Sequence, residues 1–179
     1  WWYVKDGVFQ SEEETIAHNA NGWFYVKNGV VGFGFTGVSE NSNGIFYCEN
    51  GQVTFSYTGF GQYKEILYYF RGSSVARDVT GVMYSGEKGW IYVKEGVYDP
   101  TYTGFASNGS STWYFENGVA ATEKTGLYLI GEECAYLTNG RVDTTVTGFY
   151  ELSGTYYYVK NGRTTDVEDI IYNAAAGKW

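Results

Sequence analysis

The chain has 179 residues but only one proline, one histidine, one methionine and two cysteines. Scarce proline beside 25 glycines, with aromatics at 20%, favours many short strands joined by tight turns over helices. Positive charge is also scarce: 12 Lys and Arg against 20 Asp and Glu give a net charge of −8. Phosphate neutralisation needs clustered Lys and Arg, so nucleic acid is excluded as a partner, and bare polyphosphate with it. Cationic and neutral ligands stay open. No apolar run is long enough to span a membrane, and neither a leader nor a lipidation motif is visible, so no membrane insertion is expected. The acidic residues show no recognisable catalytic pair of the kind a glycosidase holds across a cleft. Glu12-Glu13-Glu14 reads as a solvated turn, not a calcium site. His18 has no serine or cysteine motif around it and is assigned to a polar loop. No metal, no cofactor and no catalysis are therefore expected of this segment.

What is present is repetition. A Tyr stands four residues before a Gly eight times, the glycines being Gly7, Gly29, Gly51, Gly72, Gly96, Gly118, Gly140 and Gly162, at steps of 22, 22, 21, 24, 22, 22 and 22. Such a period marks a solenoid whose units bury their apolar faces on one another. The expected fold is all-β: an elongated β-hairpin solenoid of about eight 22-residue repeats. It forms one array over residues 1–179, with copies starting near 1, 23, 45, 66, 90, 112, 134 and 156. Both ends look cut from a longer protein, and Trp179 falls where a ninth copy would begin.

Within a copy, an aromatic run meets Asn-Gly and leaves as a second apolar run. Asn-Gly suits the two positive-φ positions of a type I′ turn. Thr-Gly follows, at Gly37, Gly59, Gly81, Gly104, Gly126 and Gly148, and is expected to end the outgoing strand. A loop rich in Asn, Ser and Gly comes next. The first and eighth copies lack Thr-Gly. Residues 11–17 and 166–172 stand in its place, read either as junctions of a longer period or as short helical turns, since Val167, Ile170, Ile171 and Ala174 follow helical spacing.

Residues six and four before the turn Gly should face one side of a pleated strand, and those five and three before it the other. The fourth place before Gly is always Tyr, as a shared packing contact requires. The sixth drifts through Trp1, Trp23, Ile45, Ile66, Trp90, Thr112, Cys134 and Tyr156, and the fifth drifts as well. Large rings in drifting columns are candidates for sugar stacking or for cation–π contact. Cys48 and Cys134 lie in apolar columns four copies apart, too far for a disulfide, and read as small buried hydrophobes. With neither CxxC nor a Cys/His cluster, structural zinc is excluded.

Trp-aromatic-Tyr, then Asn-Gly, then Thr-Gly with an apolar residue resembles the choline-binding and cell-wall-binding repeat family of Gram-positive surface proteins, along essentially the whole chain. That family is related to glucan-binding repeats and to toxin receptor-binding repeats. The resemblance implies a β-hairpin solenoid attached to an enzyme or adhesin and binding choline on teichoic acids, or glycans. In the choline type the cage draws on the Trp of Trp-Tyr-Tyr, the Trp of Thr-Gly-Trp and an aromatic of the next hairpin. The first element falls on Trp23 and Trp90, and less closely on Trp113, Trp1 and Tyr156. The second is missing, because Val38, Phe60, Val82, Phe105, Leu127 and Phe149 follow Thr-Gly.

A cage without one Trp wall moves the expected ligand from choline toward glycan. The sites this implies join Trp23 and Tyr25 to Phe60, and Trp90 and Tyr92 to Phe105 and Trp113. Copies six and seven, with Thr112 and Cys134, read as degenerate. The leading expectation is a non-catalytic module that anchors a secreted or surface protein of a Gram-positive bacterium to cell-wall polysaccharide, teichoic acid or another glycan. The alternatives are a choline-binding module, a structural stalk and a protein-binding adhesin repeat. The oligomeric state is left open.

Overall fold

A computed structural model describes residues 1–166, 171, 173 and 177. Among them every regular element is a strand and the pairings are antiparallel. The helical spacing expected from Val167 to Ala174, and the ninth copy expected at Trp179, fall outside the described residues apart from Ile171. The chain forms two compact units: Trp1–Thr80 with Val93–Tyr98, and Gly81–Tyr92 with Asp99–Trp179.

Each step of the array is a long hairpin followed by a short return. Strand Glu14–Asn19 pairs with Gly22–Lys27, from Glu14↔Lys27 to Asn19↔Gly22. Asn28 and Gly29 then turn the chain with φ of 51° and 71°, and the two-residue strand Val30–Val31 folds back on Val26 and Lys27. Both turn residues have φ > 0, as a type I′ turn demands. The same sequence of events recurs at Gly44–Cys48, Thr112–Glu116, Glu133–Thr138 and Thr155–Lys160.

Two sequence expectations change here. Thr-Gly does not end a strand: its glycine is the first residue of the next long strand, as in Gly37–Asn41 and Gly104–Ser107. The reason is local. The Thr hydroxyl accepts the N–H of the first residue of the next turn, Thr36 from Asn50 at 3.1 Å and Thr125 from Asn139 at 3.1 Å. The glycine beside it sits at φ between +122° and +157°, where an L side chain is strained. Residues 11–17 form no helical turn. Their second half is strand, with Ile16 buried to 3% and Glu14 in the place of Thr.

The fourth copy is displaced by one residue from the motif. Phe70↔Val75 and Arg71↔Ser74 make Gly72-Ser73 the turn, both at positive φ, so Ser73 and not Gly72 holds the glycine position. Counted through Ser73 the steps become 22, 22 and 23, and the apparent 21 and 24 vanish. The column Tyr of this copy is Tyr69, which donates its N–H to Gly96 O at 2.8 Å. Elsewhere Tyr25 donates to Gly51 O, Tyr47 to Ser73 O and Tyr114 to Gly140 O, each at 2.9 Å.

Side-chain packing follows this stagger. Trp23 and Tyr25 of one copy pack on Phe46 and Cys48 of the next, Ile45 and Tyr47 on Tyr68 and Phe70, and Trp90 and Tyr92 on Trp113 and Phe115. Both faces of a strand are thus interior to the stack. From the second copy on, the innermost column, three places before the turn position, is sealed: Val26, Cys48, Phe70, Val93, Phe115, Leu137 and Val159 are all at most 1% exposed, whereas Val4 of the first copy is 52% exposed. Burying one such Phe or Leu contributes about 1.5–3 kcal/mol. Cys48 and Cys134 are unpaired and buried, as small hydrophobes.

Candidate functional site

The sixth place before the turn ends each interlayer, where the core gives way to solvent. At two such places a third ring arrives from the loop that follows the turn. Trp1 meets Phe24 with centroids 5.2 Å apart and Phe33 at 5.7 Å, edge to face in both cases. One layer on, Trp23 meets Phe46 at 5.4 Å and Phe55 at 5.8 Å. In each set one ring is buried, Phe24 at 7% and Phe46 at 8%, and the loop ring is half exposed, Phe33 at 50% and Phe55 at 49%. Planes at 64°, 82° and 86° make open corners with ring faces on adjoining sides.

Phe33 and Phe55 were not among the candidates read from the sequence. The signal was available: each lies four residues after a turn glycine, a column that later reads Arg77, Pro100, Thr122 and Thr144. Reading only up to Thr-Gly passes over it.

The sequence candidates separate as follows. Trp23 stands in the second corner, and its other face carries His18, stacked across the hairpin at 5.4 Å and 26°. His18 therefore belongs to strand Glu14–Asn19 and not to a polar loop. Tyr25 lies inside, stacked on Phe35 at 3.7 Å, with its hydroxyl donated to Glu14 Oε1 at 2.6 Å. Burial, then that carboxylate, raises the Tyr25 hydroxyl well above its usual pKa, and the same bond lowers Glu14. Tyr92 is stacked on Tyr102 at 3.6 Å.

Phe60 and Phe105 do not join Trp23 and Tyr25, or Trp90 and Tyr92. The residue after Thr-Gly lies directly across the hairpin from the column Tyr, so Phe60 meets Tyr69 and Phe105 meets Tyr114. Trp90 and Trp113 do meet, at 5.7 Å, with Tyr84 edge-on to Trp90 at 5.3 Å. Trp113, however, is a core wall at 9% exposure, its Nε1 has no hydrogen-bond partner, and the Arg141 guanidinium lies over its ring at 5.4 Å. Column drift misled here. In a stack each interlayer has its own neighbours, so a buried column can vary as freely as an exposed one.

Beside the first corner lies a cleft of about 510 Å³ bounded by Trp1, Trp2, Tyr3, His18, Asn19 and Asn21. Among the described residues no three metal-ligating side chains cluster.

The family model described as a choline-binding repeat matches residues 14–31, 34–54, 101–120 and 145–163. Neither loop phenylalanine lies inside a match: Phe33 falls between the first two and Phe55 just past the second. Among solved structures the chain is similar to choline-binding protein F from Streptococcus pneumoniae, at 22% identity over 93% of this chain and 57% of that one, TM-score 0.35. It is also similar to CbpJ from the same organism, at 24% identity over 93% and 52%, TM-score 0.34. An alternansucrase in complex with isomaltononaose matches at 17% identity over 84% of this chain and 11% of that one, TM-score 0.38. The chain spans little more than half the length of the two pneumococcal proteins. No curated protein sequence matches it.

Proposed function

We propose that the chain is a non-catalytic wall-binding module that fastens a secreted or surface protein to the choline-bearing polymer of a Gram-positive cell wall. The observation that carries this reading is the third ring in each corner, Phe33 over Trp1 and Phe24, and Phe55 over Trp23 and Phe46. Adjoining ring faces present the negative side of their quadrupoles to one point, which suits a trimethylammonium group, and each exposed contact contributes about 0.5–1 kcal/mol. The net charge of −8 attracts such a cation before contact. One corner binds weakly, and repetition on a polymer supplies the strength, about 10²–10⁴ in avidity for linked sites. The family match to choline-binding repeats supports the same ligand.

Choline titration followed by tryptophan fluorescence tests this, together with retention on a choline-derivatised resin. The expected result is a saturable change and elution by free choline. Passage through the resin without retention, with no fluorescence change, overturns it.

A further inference from the structure

Asn-Gly, the pair that makes the layer turns, occurs eight times in the chain, five times at a layer turn and three times at a hairpin tip. The pair carries a chemistry of its own, because an unhindered glycine nitrogen can attack the side-chain amide of the asparagine before it. The fold treats the eight pairs differently. At the layer turns the attacking atom is out of reach. Gly29, Gly51, Gly118, Gly140 and Gly162 are buried. Each donates its N–H to a backbone carbonyl upstream, as from Gly51 to Phe35 O at 2.6 Å and from Gly140 to Lys124 O at 2.8 Å. At two of the tips the glycine already belongs to a strand, Gly22 pairing with Asn19 and Gly44 with Asn41.

The third tip differs. Strands Gly104–Ser107 and Thr112–Glu116 are joined by residues 108–111, and Asn108-Gly109 stands exposed at the start of that loop. The Gly109 N–H is held by a side-chain hydroxyl, Ser107 Oγ at 3.1 Å, and not by a backbone carbonyl. The Asn108 side chain is folded back along its own peptide, its Oδ1 accepting the N–H of Ser110 at 3.1 Å and of Ser111 at 2.9 Å. This fold sets the amide beside Gly109. It also aims two donors at the oxygen on which negative charge gathers when the amide carbon is attacked, the arrangement that stabilises an oxyanion.

We infer that Asn108 is a self-modifying residue, whose amide is displaced by the nitrogen of Gly109 while the fold spares the layer turns. Solvent base removes the Gly109 amide proton, the nitrogen bonds to Asn108 Cγ, and the bond from Cγ to Nδ2 breaks, releasing ammonia and leaving a cyclic imide. Water opens the imide at either carbonyl, to aspartate or isoaspartate. No electrons are exchanged: asparagine and water become an acid and ammonia. The tip thereby gains one negative charge, next to the hollow lined by Ser107, Gly109, Ser110 and Arg163. The inference is independent of the wall-binding reading. A layer-turn asparagine, by contrast, reacts only when its layer opens.

The test incubates the full chain in warm neutral buffer, native and in urea, and follows aspartate and isoaspartate at each Asn-Gly pair by peptide mapping and mass spectrometry. In urea the eight pairs are expected to react at similar rates. In the native chain Asn108 is expected to react at least as fast as it does in urea, and the five layer-turn asparagines about tenfold or more slower than in urea, as local opening dictates. Asn108→Gln, whose longer side chain closes the ring far less readily, should remove the early product and leave the other sites unchanged. A native Asn108 that reacts more slowly than in urea overturns the inference, and so does any layer-turn asparagine that keeps pace with it.

Discussion

Trp23 and Phe55 meet edge to face with centroids 5.8 Å apart and planes at 86°, although they stand 32 positions apart in the chain. The contact exists because Phe55 sits in the loop after one turn and Trp23 at the end of the preceding layer. Phe55→Ala is expected to weaken choline binding by about two- to fivefold, the loss of one exposed cation–π wall. Trp23→Ala should weaken it more, since it also uncovers Phe46. Fluorescence or calorimetric titration reads both. The match of Trp23→Ala to the parent affinity would remove the second corner from the site.

Turn glycines should be irreplaceable for two reasons at once. A Cβ on Gly140 would lie 2.5 Å from the Ala121 carbonyl oxygen, at φ +74°. Gly109, at φ +87°, has nothing within 4 Å. Gly140→Ala is expected to cost about 2–4 kcal/mol, and Gly109→Ala only the left-handed penalty of about 1–2 kcal/mol. Urea unfolding of the two variants measures the difference.

The Thr of Thr-Gly should matter through its oxygen. Thr125→Val keeps the shape but removes the acceptor for the Asn139 N–H. The expected cost is about 0.5–1.5 kcal/mol, with faster hydrogen exchange at the Asn139 amide. An unchanged exchange rate there would show that water replaces the hydroxyl fully.

Alkali should loosen the first unit. Burial pushes the Cys48 thiol from 9.0 up to about 11. Its folded-state value exceeds the unfolded one, so the stability it contributes is complete below about pH 8.5–9 and is lost as pH rises toward 11. Urea midpoints measured from pH 8 to 11 are expected to fall, and Cys48→Ala should flatten the slope while lowering the whole curve. At pH 7 the native thiol is expected to resist alkylation until denaturant is added.

Much of the scaffold could be read from the chain. Asn-Gly named its turn correctly because two consecutive positive-φ residues admit few other pairs, and Tyr named its column because every layer uses the same contact. Ser73 could not be read that way. Gly72 beside Tyr68 satisfied the spacing, and only the pairing of Phe70 with Val75 shows that serine takes the turn's tight position, where its Oγ accepts the Tyr57 N–H at 3.2 Å. The site was harder to see than the scaffold. Phe60 and Phe105 were reached by carrying a motif position across, but a residue after Thr-Gly faces the Tyr of its own hairpin. Phe33 and Phe55 appear in only two copies, so no count of repeated residues could bring them forward.

The bond from Tyr25 N–H to Gly51 O, repeated from Tyr47 to Ser73 and from Tyr114 to Gly140, spans 26 residues each time. Every layer offers the next the same donor that it received from the one before. A gene encoding such a chain can therefore lose or duplicate one whole period by unequal crossover and still join matching surfaces, whereas a cut of half a period strands a donor against nothing. Length in this protein is open to change in whole steps, and the ring corners can be lost or multiplied with the layers that carry them.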